Sequence, residues 1–386
     1  MPQKVLLLEP YFTGSHATWA EGLARHSRHD VTLLTLPGRF WKWRMHGAAV
    51  TLARRLKESR LRPNVILASD MLDLATFLAL SRDVTGGVPV ALYFHENQLA
   101  YPANPVDQSW DDSRRRRTQS AGTDMHYPFI NYTSALAADR ILWNSRFNRD
   151  SFLDGLPRFL KQFPDFNETD TVRLIEKRSQ VLPVGLALGS LDEARPAIPY
   201  AGPALLLWNH RWEHDKGPNS FFDALDALEL TGADYRVALL GESFRLTPTE
   251  FESARERLPH RIVQFGYAKD RLAYGEWLWK ADLVVSCARH EFFGVSIAEA
   301  MYCDTWPILP NRLVYPNLIP SEYHSRCLYE SPEDLVALLH RAISKIDMVR
   351  QQSLRPVVES FDWRHMAPQY DDMLSGLATE EPLRGI

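Results

Sequence analysis

Two successive series of short apolar runs, each run separated from the next by an amphipathic stretch, limit what this chain can fold into. Runs at residues 4–8, 31–36, 65–68, 88–94, 139–145 and 180–184 make the first series. Runs at 204–208, 236–240, 262–265, 283–285 and 306–309 make the second. Most of these runs hold three or more consecutive apolar residues rather than a strict alternation, as strands buried on both faces of a parallel sheet require. The segment 185–203 between the series carries Gly, Pro and small residues and reads as a linker. A chain of 386 residues is also too long for one ordinary core. The expected architecture is α/β, with two Rossmann-like domains at 1–187 and 203–363. They are expected to face each other across a cleft, with ligands beyond the carboxyl ends of the strands.

Composition narrows the class. A chain that is 45% hydrophobic and 24% charged belongs with soluble globular proteins and not with disordered ones. No apolar run approaches membrane-spanning length, and residues 5–8 are too short for the core of a signal peptide. Three cysteines cannot build a disulfide framework, which fits a reducing cytoplasm. The net charge of −4 hides an asymmetry: residues 1–190 carry 24 Lys and Arg against 19 Asp and Glu, and the remainder 20 against 29. A polyanionic partner should therefore meet the first half.

The stretch from His290 to Met301 carries the densest chemistry. It follows the apolar run at 283–285, and Val295, Ala298 and Met301 fall at helical spacing, so a helix begins near Gly294 or Val295. Glu291 then lies on the strand-to-helix loop and Glu299 about one turn into the helix. Gly294 permits close backbone approach, and the amides of the first turn, those of Val295 and Ser296 among them, favour an anion. This set suits a nucleotide-sugar, with the diphosphate at the amides and hydroxyls at the carboxylates.

Other groups fall at strand ends. Arg211 and Lys216 follow the first strand of the second half, with Gly217 next, and are placed to clamp a diphosphate leaving group. His95 ends the fourth strand, where an imidazole can donate to a sugar hydroxyl or orient an acceptor. Gly14, Ser15 and His16 follow the first strand; their single glycine excludes the G-x-G-x-x-G dinucleotide fingerprint, but helix-end amides there could reach a phosphate. Arg114, Arg115, Arg116 and Arg117, flanked by Trp110 and Tyr127, suit RNA, where phosphates are gripped and exposed bases stacked. His210 and His214 lack a third ligand in the sequence, and no Asp-x-Asp is present, so no metal is expected.

Glu291 and Glu299, with seven residues between them enclosing Phe293 and Gly294, resemble the E-x7-E signature of retaining GT-B glycosyltransferases. A narrower resemblance, to the tRNA-queuosine alpha-mannosyltransferase family, rests on several blocks. They are Glu9–His16, His95–Leu99 with Tyr101 and Pro102, Asn144 and Ser145 with Phe147 and Asn148, His210–Lys216, and His290–Gly294 through Leu313–Pro316. The blocks cover most of the chain. The resemblance implies a GT-B fold whose C-terminal helix, about 364–386, crosses back onto the first domain. It implies GDP-mannose as donor and, as acceptor, the cyclopentenediol of queuosine at the wobble position of an aspartate tRNA, with no cofactor. In the superfamily's terms Glu299 holds the ribose, Glu291 and His95 lie by the sugar, and Gly294, Val295 and Ser296 take the diphosphate with Arg211 and Lys216. Gly14 and Ser15 are expected on the donor side, and His95, Asn97, Gln98 and the four arginines on the acceptor side. A retaining glycosyltransferase with another nucleotide-sugar, or with a small-molecule or glycan acceptor, fits the E-x7-E motif alone.

Overall fold

The computed structural model describes residues 2–100, 125–241 and 249–379. The expected arginine cluster Arg114–Arg117, with Trp110, Tyr101 and Pro102, lies outside the described residues. The chain divides into two compact units, Met1–Gly185 with Trp363–Ile386, and Leu186–Asp362. Each is built on a six-stranded parallel sheet.

In the first unit the strands are β1 (Lys4–Phe12), β2 (Asp30–Pro37), β3 (Val65–Ser69), β4 (Val90–Phe94), β5 (Arg140–Trp143) and β6 (Ser179–Val181). Their order in the sheet is β2-β1-β3-β4-β5-β6. All neighbours are parallel, so the carboxyl ends of β1, β3 and β4 meet at one edge. Leu6, Leu8, Ile66, Ala68, Leu92 and Phe94 are wholly buried, which explains why the sequence shows no polar alternation in these runs.

Helix α1 (Gly14–His26) and helix α2 (Trp41–Ser59) follow β1 and β2. The sequence placed the first helix from residue 17, but β1 runs on to Phe12 and Gly14 already begins α1, at φ +50°. Gly14, Ser15 and His16 are therefore the first turn of α1 rather than a loop before it. Thr13 occupies the cap position without capping through its side chain.

In the second unit β7 (Ala204–Trp208), β8 (Tyr235–Leu240), β9 (Ile262–Gly266), β10 (Leu283–Val285), β11 (Trp306–Pro310) and β12 (Leu328–Tyr329) are ordered β12-β11-β10-β7-β8-β9. Helix α3 (Arg271–Lys280) precedes β10 and helix α4 (Val295–Tyr302) follows it. The expected linker is part of this unit. Leu186 bridges to Asp362, Leu188–Ala194 is a 3-10 helix, and Asp362 accepts the Gly189 amide at 2.7 Å.

The last helix, α5 (Trp363–Thr379), belongs to the first unit. Buried Asp371 accepts the backbone N–H of Arg28 at 2.9 Å, and Tyr370 accepts from the Trp19 indole at 3.1 Å while donating to Pro183 O at 2.9 Å. Trp363 wedges against two glycines: a Cβ on Gly22 or on Gly185 would come within 2.2 Å or 2.5 Å of its ring. The absence of those side chains lets α5 dock. Trp363→Ala should cost the first unit about 3–5 kcal/mol, the range for emptying a buried tryptophan site, measured by denaturant titration; an unchanged midpoint would refute the wedge.

Candidate active site

The second unit gathers its charged residues around the β7 and β10 carboxyl ends. Lys216 is buried, and its Nζ donates to His290 O at 2.9 Å and pairs with Asp215 at 3.2 Å and Glu291 at 3.5 Å. Gly217 makes this possible: it sits at φ +68°, and a Cβ there would lie 2.4 Å from Cys287 O. Glu291 accepts the Gly294 amide through Oε1 at 3.0 Å while Oε2 faces Lys216. Burial alone would raise the Glu291 pKa, but Lys216 and the amides of Gly294 and Phe293 outweigh it and hold it at about 2. Burial likewise works against charge on Lys216, yet Glu291 and Asp215 raise its pKa. The pair is ionised together.

This geometry revises the sequence reading of Gly294. Its amide is donated to Glu291, so it fixes the loop between β10 and α4 rather than standing open for a phosphate. Gly294 still supplies the left-handed residue, φ +86°, that turns the loop into α4, and the amides of Val295 and Ser296 form the first turn of that helix. Arg211 is about half exposed and pairs with Glu213 at 3.2 Å.

Glu299, one turn into α4, has both oxygens engaged: Arg271 donates at 2.7 Å and Tyr274 at 3.0 Å. Asn209 ties this to the helix end, donating to Tyr274 Oη at 3.1 Å and to Ser296 O at 2.9 Å. The sequence reading missed Arg271, Tyr274 and Asn209. The signal was the three-residue spacing of Arg271 and Tyr274, which sets both on one face of α3. His210 bonds Ser296 Oγ at 3.1 Å, and burial followed by Lys216 lowers its pKa to about 4, so it is neutral. His214 instead meets Arg289 at 3.2 Å; the two histidines four apart do not converge on one point.

In the first unit His95 caps β4. Its backbone N–H is held by Asp70 at 2.8 Å and its carbonyl by Asn144 at 2.7 Å. The ring lies against His16 (4.2 Å between centroids), Trp19 (4.7 Å) and Tyr93 (4.8 Å), and Nε2 has no partner among the described residues. Burial, then His16, drives the His95 pKa well down, leaving a neutral imidazole. His16 behaves oppositely. Burial opposes its charge, but Glu9, bonded at 3.1 Å, lifts its pKa to about 9.

Glu9, His16 and His95 bring a donor atom each within 4.8 Å of one another, and among the described residues they are the one group of three or more such side chains able to hold a metal ion. Glu9 comes from within β1, His95 from just past β4 and His16 from α1, a convergence that sequence spacing does not reveal.

Asn97 does not face outward. Its amide nitrogen donates to Asn148 Oδ1 at 2.9 Å and Ser151 at 3.0 Å, and its oxygen takes the Ala100 amide at 2.9 Å. It is wholly buried, so the expected acceptor contact through its side chain gives way to a structural role. Gln98, largely buried, donates to Glu96 at 3.0 Å.

Two units, each on a parallel six-stranded sheet with flanking helices, match the architecture of GT-B glycosyltransferases. Residues 4–186 match the pattern of the tRNA-queuosine alpha-mannosyltransferase N-terminal region, and 192–353 match glycosyl transferases group 1. A tRNA-queuosine alpha-mannosyltransferase of Drosophila melanogaster is 33% identical over 98% of this chain and 98% of its own length. This chain belongs to the tRNA-queuosine alpha-mannosyltransferase family. A GDP-mannose-dependent alpha-(1-6)-phosphatidylinositol dimannoside mannosyltransferase of Mycobacterium tuberculosis is 24% identical, over 92% of this chain and 86% of that one. In structure, a glycosyltransferase from Rickettsia africae superposes with a TM-score of 0.69 at 15% identity, covering 98% and 99% of the two chains. Among the described residues no helix is long and apolar enough to cross a membrane.

Lys216→Ala should cost about 3–5 kcal/mol of stability, because it strands two carboxylates, whereas half-exposed Arg211 can be removed without unfolding. The pH dependence carries a sign. A carboxylate held at about 2 adds stability that is complete above its unfolded value near ~4.3 and is lost as pH falls through the folded one. Acid titration of Lys216→Ala should lose part of that slope; identical acid limbs would separate Lys216 from Glu291.

Proposed function

We propose that this enzyme transfers mannose, with retention, from GDP-mannose to the queuosine nucleoside at the wobble position of an aspartate tRNA. The observation that carries the reading is the buried Lys216–Glu291 pair on Gly294, in a chain matched end to end by the Drosophila relative. The mycobacterial relative's name supports GDP-mannose as donor.

The chemistry follows from charge. As the anomeric carbon–oxygen bond breaks, negative charge gathers on the departing diphosphate. Lys216, kept protonated by its carboxylate neighbours, and exposed Arg211 stabilise that charge with the first-turn amides of Val295 and Ser296. The acceptor hydroxyl oxygen forms its bond to the same face of the sugar, and its proton passes to the departing phosphate oxygen. Glu291 positions the sugar, and the neutral imidazole of His95 is the group offered to the acceptor. Glu299, aligned by Arg271 and Tyr274, holds the ribose. The diphosphate is held by these cations without a metal.

Incubation with GDP-mannose and queuosine-containing tRNA, followed by mass analysis of the nucleosides, should show one added hexose on queuosine. Hexose transfer only from another nucleotide-sugar, or only to a glycan or small molecule, would overturn the assignment. Arg211→Ala should lower turnover about 100- to 1000-fold, the usual loss for one transition-state contact. Tyr274→Phe should act differently. It frees one oxygen of Glu299 and should weaken GDP binding about tenfold or more, as loss of a hydrogen bond to a charged group does, while kcat at saturating donor changes little. Unchanged GDP affinity by calorimetry would remove Glu299 from the ribose.

A further inference from the structure

From Val31 to Lys57 the chain carries six Lys and Arg residues and no Asp or Glu. At the centre of this stretch, where β2 passes into α2, stand two large aromatics that the core leaves outside: Phe40 is 71% exposed and Trp43 63% exposed. Phe40 holds a left-handed backbone, φ 54° and ψ 56°, a conformation that costs a side chain about 1–2 kcal/mol. Trp43 lies along the helix over Gly47, where a Cβ would come within 2.6 Å of the indole. The indole thus lies against the helix at Gly47 while most of the residue stays exposed. Arg39 and Arg44 flank the pair, and among the described residues neither meets a carboxylate; Arg44 instead donates to Pro37 O at 3.0 Å. One helical turn on from Trp43, His46 stacks on His126 at 4.0 Å between centroids.

Rings join this surface to the reaction side of the same unit. His95 meets His16 at 4.2 Å, and His16 meets Tyr11 at 5.9 Å. Tyr11 and Trp41 pack on one cluster with Met45, Met71, Tyr127 and Ile130, and Tyr127 meets His46 at 5.3 Å. Single exposed aromatics are ordinary on a protein surface. Two within four residues, among cations and with no carboxylate in the stretch, match what unpaired nucleotides require: flat apolar faces for bases and positive charge for the phosphates between them.

We propose that Phe40 and Trp43, with Arg39, Lys42 and Arg44 around them, form a stacking platform for unpaired RNA bases, which holds the acceptor's loop while its target nucleoside lies at His95. The proposal rests on the tRNA reading above and adds where the RNA is gripped. A protein partner is the competing occupant, but its contact surface would need carboxylates against these cations and gives no particular reason for two exposed aromatic rings within four residues.

The test measures binding of a labelled anticodon stem-loop RNA and of a fully paired RNA duplex to the full-length enzyme, alongside GDP affinity and thermal stability. Phe40→Ala and Trp43→Ala should each weaken stem-loop binding roughly five- to 150-fold, the effect of losing one stacked base. Duplex and GDP binding should not change, Trp43→Phe should retain most of the affinity, and the KM for tRNA should rise with little change in kcat. Arg39→Ala should flatten the salt dependence by about 0.7 to 0.9 of a unit of slope. Wild-type RNA binding that folded Phe40→Ala and Trp43→Ala variants reproduce would overturn the platform, leave the tRNA reading standing and return the surface to a protein partner. A wild-type enzyme that binds neither RNA would overturn both.

Discussion

A charge buried at the end of a sheet governs the second unit. Lys216 cannot be ionised alone in that position, and Glu291 cannot either; each is tolerable because the other is present. The pairing has geometric conditions. The backbone must pass within contact of Cys287 O at Gly217, and it must reverse at Gly294 so that one amide can turn back onto Glu291. The loop is therefore held from both sides, by the Gly294 amide and by Lys216, with the lysine's charge already out of water. A cation held in that way is preorganised, the condition under which electrostatic stabilisation is strongest.

The first unit solves a different problem, that of holding a neutral histidine beside a charged one. His95 is gripped through its backbone on both sides, by Asp70 and by Asn144, so its ring owes its position to the main chain and not to its own nitrogens. Asn148 carries the same network inward, bonding Phe94 O and Asn144 Oδ1 at 3.2 and 2.9 Å. The asparagines of this region are a scaffold. They free the imidazole of His95 for whatever meets it, while Glu9 keeps the neighbouring His16 charged.

Much of this was legible in residue order because parallel sheets write themselves as unbroken apolar runs. Eleven of the twelve strands fall on runs seen in the sequence, whereas β12 has two residues, Leu328 and Tyr329, and leaves no periodic trace. Glu291, Glu299, Arg211 and Lys216 were visible because loops after strands concentrate their chemistry in short segments. What stayed hidden was the use of those groups. Asn97 has the look of a ligand-binding side chain, but three-dimensional neighbours from 51 to 54 positions away consume its amide. The Gly294 amide was read as open because sequence does not say which way a carboxylate three residues earlier will turn. Residues 185–203 looked like a linker by composition, yet all but Gly185 have a place in the second unit, where Asp362, far along the chain, holds Gly189.

The position of α5 has a consequence for how the molecule comes into being. Tyr370 supports Trp19, and Trp19 lies against His95, so a wall of the cluster around His95 depends on α5. Synthesis from the N-terminus delivers every strand of the first sheet early, but Gly22 and Gly185 must wait for Trp363 while the whole of the second unit is translated. During that interval the groove prepared for α5 is bare apolar surface. In a nascent chain of this design the surroundings of His95 are completed only after the second unit has been translated.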